Sequence, residues 1–197
     1  MGSLSFSTGS GLVAILLWST TIALARSLSE QLGPLTAAAS VYLCGGALCL
    51  IRFFRTKAPL DRLLNLPRNY LLSCGFLFVL YTVLLYLAVG LAADREQAIE
   101  IGLVNYLWPA STILLSVPLL KKRASVFLWP GTALALTGIF LVMTQSGSVS
   151  WESFFNHVKG NPAAYGLAFV AAISWALYSN LTRRWSGSGN DGAVELF

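Results

Sequence analysis

The chain has 197 residues, of which 56% are hydrophobic and only 11% charged, and its mean hydropathy is +0.69. A soluble domain carries about 25% charged residues, so composition argues against a soluble globular enzyme and for a membrane-embedded helical protein. The net charge of +5 does not indicate a nucleic-acid partner, because the basic residues sit in short clusters between apolar blocks, the arrangement that orients membrane helices.

Six apolar blocks follow one another. The first runs from about Gly11 to Leu28, the second from about Pro34 to Phe54 and the third from about Tyr70 to Ala92. The fourth covers about Glu96 to Leu120, the fifth about Val126 to Met143 and the sixth about Pro162 to Trp185. Blocks of roughly 18–25 residues make helices of about 27–37 Å, enough for a hydrocarbon core of ~30 Å. The uncharged start, Met1 to Gly11, does not read as a cleavable signal peptide.

Block one carries Trp18, Ser19, Thr20 and Thr21 at its middle, too deep for an interfacial aromatic belt. These residues are candidates to face a cavity. Tyr42 and Tyr81 lie mid-block in blocks two and three, where each hydroxyl needs a partner. A helix–helix hydrogen bond and a ligand contact both satisfy that need.

Block four is the least lipid-like. It holds Glu100, Asn105, Tyr106, Trp108, Pro109 and Pro118. Such groups are costly in lipid unless they face protein or a water-filled cavity. Asn105, Trp108 and Thr112 share a helical face at i, i+3 and i+7. Pro109 and Pro118 each remove a helix hydrogen bond and predict kinks. Glu100 has three readings: an outer gate paired with Arg26, a proton-coupling carboxylate, or a side chain snorkelling to the interface.

Between blocks five and six, Trp151, Phe154, Phe155 and Val158 follow an i, i+3, i+4, i+7 pattern after Ser150, a possible N-cap. The spacing predicts a short helix in the outer interface. Block six repeats Ala168, Ala172 and Ala176 every four residues, a packing signal in lipid, as are Gly131 with Ala135 and Gly45-Gly46 with Cys49.

Ten of the 13 basic residues (Arg52, Arg55, Lys57, Arg62, Arg68, Lys121, Lys122, Arg123, Arg183 and Arg184) fall on one side of the blocks. Only Arg26, Arg95 and Lys159 fall on the other. The positive-inside rule therefore predicts a cytoplasmic N-terminus. Trp18 with Arg26 and Trp175 with Arg183 share an eight-residue spacing, five helices apart. That echo predicts an inverted five-helix repeat, a common plan of secondary transporters. On it, residues 1–145 form the first repeat, 146–161 an outer loop with an interfacial helix, and 162–197 the start of a second repeat whose remaining helices lie outside this chain. Trp175 and Tyr178 then join the cavity candidates.

Cys44, Cys49 and Cys74 lie within apolar blocks and read as buried small residues. One histidine, His157, leaves no metal-ligand set, and no catalytic motif or cofactor-binding loop is present.

The string Ala98-Ile99-Glu100-Ile101-Gly102-Leu103-Val104-Asn105-Tyr106-Leu107-Trp108-Pro109 resembles the fourth-helix motif of YddG-type aromatic amino acid exporters, in the EamA branch of the drug/metabolite transporter superfamily. Leu17 to Thr20, Leu77 to Tyr81 and Phe169 to Tyr178 resemble that family's first, third and sixth helices. The resemblance implies a ten-helix bundle of two inverted five-helix repeats around a central apolar cavity. It implies export of aromatic and other neutral amino acids across the bacterial inner membrane by alternating access. Trp18, Tyr81, Trp108 and Trp175 would then stack on the substrate, and Ser19 and Asn105 would hydrogen-bond its polar end. A broader drug or metabolite exporter and a non-transporting membrane scaffold are the competing readings.

Overall fold

The computed structural model describes residues 2–56, 67–121, 126–145 and 151–185. Among these residues there are nine helices and no strand. In chain order they are α1 (Gly2–Ser19), α2 (Thr21–Leu32), α3 (Pro34–Thr56), α4 (Arg68–Gly90), α5 (Arg95–Asn105), α6 (Trp108–Leu119), α7 (Leu128–Gln145), α8 (Trp151–Gly160) and α9 (Pro162–Trp185). The links with Lys57, Asp61, Arg62, Lys122 and Arg123, the expected N-cap Ser150 and the stretch after Trp185 lie outside the described residues.

Among the described residues, five stretches are long and apolar enough to cross a membrane: Thr8–Leu32, Pro34–Ile51, Arg68–Gly90, Arg95–Leu119 and Pro162–Trp185. The sequence predicts six. The fifth block folds as α7, a helix of 18 residues, but it is not among the five, and several of its side chains lie outside the described residues. Two of the five spans are not continuous helices. The first is interrupted at Thr20, between α1 and α2, and the fourth at Tyr106 and Leu107, between α5 and α6.

The helix ends follow from local chemistry. Gly33, at φ +81°, ends α2, in a backbone region open to glycine at no steric cost. Pro34 opens α3 and Pro162 opens α9, positions where a missing N–H costs little. Asp94 caps α5, its Oδ1 accepting from the Gln97 N–H at 2.7 Å. The Arg26 guanidinium donates to the Val89 and Ala92 carbonyls at 3.0 and 2.7 Å. These carbonyls lie at and just beyond the C-terminal end of α4, where a cation is also favoured by the helix dipole.

The core is built on α9. It packs on α4, α6, α5 and α8. Ala164, Ala168, Ala171, Ala172 and Ala176 are all fully buried on it. Their small side chains let helix backbones approach closely, which compensates for the missing hydrophobic drive between helices in lipid. The expected alanine stripe is therefore a packed seam. Gly45, Gly46 and Gly131 behave differently: a Cβ at any of them meets nothing within 4 Å. They and Ala135 lie on faces that no described helix covers, so these small residues do not mark a seam among the described residues. Cys44 and Cys49, expected to be buried, are exposed on α3, while Cys74 is buried.

Two other glycines do mark close approaches. A Cβ on Gly90 would lie 2.6 Å from Pro34 Cβ, and one on Gly102 would lie 3.1 Å from both Cγ atoms of Ile22. Gly90→Ala should therefore force α3 away from α4 and lower stability by about 1–3 kcal/mol. Gly131→Ala should leave it unchanged or slightly raised. Thermal unfolding in detergent, followed by circular dichroism, checks both; equal midpoints for the two variants would show that the Gly90 approach is not required.

Candidate functional site

The two helix interruptions have identifiable causes. Ser19 Oγ donates to the Leu16 carbonyl at 2.7 Å and Thr20 Oγ1 to the Leu17 carbonyl at 2.8 Å. Hydroxyls that bond back to the preceding turn compete with the helix ladder and bend it. In the fourth span Pro109 has no N–H, so the Asn105 carbonyl cannot be bonded in helical register. The chain turns instead through Tyr106 and Leu107, with the Leu107 N–H on the Val104 carbonyl at 3.1 Å. Pro109 then falls in the first turn of α6. The kink expected of it is a full interruption, two residues earlier than the proline itself.

A cavity of ≈ 220 Å³ lies beside both interruptions, lined by Trp18, Thr21, Ile22, Tyr42, Tyr81, Leu85, Asn105, Tyr106, Trp108 and Trp175. None of these residues is charged. Trp108 stands edge-on between two tryptophans, 6.4 Å from Trp18 and 6.2 Å from Trp175 between ring centroids. Tyr81 packs on Trp175 at 4.6 Å. Irregular backbone at membrane depth is tolerated where it lines such a space.

Asn105 is the polar feature of this wall. It is 5% exposed, and its Oδ1 has no hydrogen-bond partner. A buried unpaired carbonyl costs about 1–3 kcal/mol. An N–H donor entering the cavity would relieve that cost. The site can therefore stack a flat apolar group on its rings and accept a hydrogen bond from a polar one.

Of the residues singled out in the sequence, Trp18, Tyr42, Tyr81, Asn105, Trp108 and Trp175 come together here. Ser19 does not. It lines a second cavity of ≈ 360 Å³ between α2 and α5, because its hydroxyl is turned back onto α1. Tyr178 does not line the cavity either. It is buried against Phe78 and Trp175, at 5.6 and 5.2 Å, one turn beyond the cavity. Thr21 and Tyr106, to which the sequence also pointed, line it as well, whereas Ile22 and Leu85 are lining residues that the sequence reading missed. Thr21 and Ile22 stand three and four residues after Trp18, so the helical period pointed to them.

Glu100 and Arg26 do not pair, contrary to one expectation. Arg26 turns to Glu30, at 2.8 Å, and to the carbonyls ending α4. Glu100 does not snorkel; it is fully buried. Its Oε2 accepts from the Tyr165 hydroxyl, and His157 Nδ1 lies 3.1 and 3.2 Å from its two oxygens. A carboxylate at this depth is held by two hydrogen-bonding partners rather than by a counter-charge on α2. The short helix expected after Ser150 is present as α8, and Phe154 and Val158 pack into the core while Phe155 stays exposed. His157 and Glu100 thus clasp α8 to the bundle. Nothing in the helical period signalled this, since the partners stand 57 and 65 residues from Glu100.

Membrane-length helices beside an uncharged, aromatic cavity define a multi-pass α-helical membrane protein. The chain belongs to the EamA-like transporter family, whose profile matches residues 8–144. It is 38% identical over 180 residues to the "Aromatic amino acid exporter YddG" of Escherichia coli strain K12, a match covering 91% of this chain and 60% of that protein. It is 39% identical over 180 residues to the exporter of the same name from Salmonella typhimurium, with the same coverage. To that of Ancylobacter novellus it is 30% identical over 185 residues, 93% of this chain and 60% of the relative. The chain thus spans about 60% of the length of these curated relatives. No solved structure gives a significant match. The relatives are named as exporters, and the family is one of transporters, not enzymes.

The clasp yields a measurable expectation. Glu100→Ala strands the Tyr165 hydroxyl and the His157 ring, and should lower stability by about 1–3 kcal/mol. Glu100→Gln keeps an acceptor oxygen and nearly the same volume, and should lose less. Unfolding midpoints in detergent compare them; a Glu100→Ala midpoint equal to the wild type would mean that the clasp contributes nothing.

Proposed function

We propose that this chain forms the substrate-binding wall of an exporter of aromatic and other neutral amino acids that works by alternating access. The observation that carries the reading is the juxtaposition of Trp18, Trp108 and Trp175 with the unpaired Oδ1 of Asn105. A zwitterionic aromatic amino acid offers a flat ring for the tryptophans and an ammonium donor for that oxygen. The lack of a charged lining residue suits a substrate with no net charge. The names of the relatives, aromatic amino acid exporters, support the same cargo.

The ≈ 220 Å³ beside these rings is the part of the cavity that the described residues contribute. The inverted repeat also gains support. Trp18 and Trp175, the two ends of the sequence echo, both reach Trp108. On this reading residues 1–145 are the first repeat, α9 begins the second, and further helices of the full-length protein complete the cavity. The N-terminus is cytoplasmic, by the distribution of Lys and Arg, and the protein sits in a bacterial inner membrane.

Efflux of labelled phenylalanine from cells expressing the full-length protein tests the proposal. Trp175→Ala should raise the half-saturating concentration about 10-fold, the equivalent of one lost aromatic contact of ~1.4 kcal/mol. Asn105→Leu should do the same for phenylalanine and less for a ligand without an amine. Efflux equal to that of empty cells, or transport of cationic drugs without competition from aromatic amino acids, would remove the amino-acid reading.

A further inference from the structure

The two cavities are neighbours, and two residues, Ile22 and Tyr106, line both. The larger one opens between α2 and α5 and carries Ser19, Ser27, Arg26 and Arg95 on its wall. Resting on the transport reading above, we propose that this ≈ 360 Å³ cavity is a second compartment of the substrate path. We propose further that Ile22, seated on Gly102, is the barrier between it and the aromatic cavity.

The contact has the character of a closed gate. Both Cγ atoms of Ile22 stand 3.1 Å from where a Gly102 Cβ would be, and Gly102 is buried. Only a residue without a side chain lets the isoleucine seat this deeply. An apolar constriction of this kind excludes water and polar solutes by dewetting. On the aromatic side a solute meets rings and the Asn105 carbonyl. On the other side it meets Ser27 and the guanidinium of Arg95, which is 81% exposed and 3.9 Å from Glu30, while the Arg26 guanidinium there is held by Glu30 and two carbonyls. That wall is more polar than the aromatic one.

The backbone is built to let the contact part. Ile22 is the second residue of α2, directly after the interruption at Thr20. Gly102 stands three residues before the end of α5, directly ahead of the interruption at Tyr106 and Leu107. Each side of the constriction therefore belongs to a half-helix whose ladder is already broken at the same place. Rotation of α2 against α5 at these hinges need not break the hydrogen bonds of α1 or α6. Arg26, one turn beyond Ile22, ties the middle of α2 to the end of α4, so movement is confined to the first turn of α2.

The test is to lock the contact. Ile22 Cβ lies 3.6 Å from the Cβ position of residue 102, inside the ~3.5–4.5 Å range of a disulfide. The full-length protein carrying I22C and G102C, with the exposed Cys44 and Cys49 replaced by serine, is oxidised and its cross-link verified by mass spectrometry. Phenylalanine efflux should fall at least 10-fold and return on reduction, while each single cysteine variant is insensitive to oxidant. Undiminished efflux by the cross-linked protein overturns the gate. A second arm does not depend on the cargo or on the cross-link folding. A cysteine at Thr21, which lines the aromatic cavity, is labelled with an impermeant maleimide with and without I22A. Removal of the isoleucine should speed labelling at least 5-fold; an unchanged rate again rejects the barrier. If wild-type protein moves no phenylalanine, the amino-acid reading fails, and the labelling arm still decides the gate.

Discussion

The close approach of α9 to α4 is the constraint from which the rest follows. Five alanines on α9 present no long side chain, so the two backbones meet over most of their length. The larger residues of α9 are then displaced to the flanks of the seam. Trp175 is carried onto Tyr81 and Trp108 on one side, and Tyr178 onto Phe78. Tyr165, one turn from the start of the same helix, reaches Glu100. A single bulky substitution in the seam would therefore disturb the cavity and the clasp together, although it touches neither.

The polar groups obey the accounting that lipid imposes. Backbone acceptors at helix ends are met by side chains from distant elements: Arg26 at the end of α4, Asn161 on the Leu91 carbonyl and Arg184 on that of Leu119, and Asn180 adds a bond to the Thr112 carbonyl within α6. Gln97 collects two donors on one oxygen, the Ala93 N–H and the Asn161 amide. Such bonds between membrane helices contribute about 0.6–2 kcal/mol each. Against this background the unpaired Asn105 oxygen stands out. The interrupted backbone lies beside that oxygen, where irregularity is tolerated because a cavity is present.

Much of this was legible in the sequence. Hydropathy placed the membrane segments because a helix is the cheapest way to bury a backbone in lipid, and the mid-span aromatics and Asn105 betrayed a cavity because they would be costly facing lipid. Pro109 announced a break, since the missing N–H is a property of the residue itself. What was not legible depends on distance in sequence. Glu100 was matched to Arg26 by depth alone, whereas its partners lie on α8 and α9. Ser19 and Tyr178 were assigned to the cavity by neighbourhood and by echo. Ser19 is turned away by its own bond to the Leu16 carbonyl, and Tyr178 by one further turn of helix. The small residues of blocks two and five looked like those of block six, and only the fold distinguishes a stripe that is covered from one that is not.

The Glu100 clasp also bears on how the protein is made. Its carboxylate is synthesised 57 residues ahead of His157 and 65 ahead of Tyr165. At ~5–20 residues per second the ribosome needs roughly 3–11 s to supply the first partner. For that interval the fourth span holds an acidic side chain with neither of its final ligands. A nascent chain stalled before α8 would carry in its fourth span a carboxyl group without either of the partners that hold it in the finished fold.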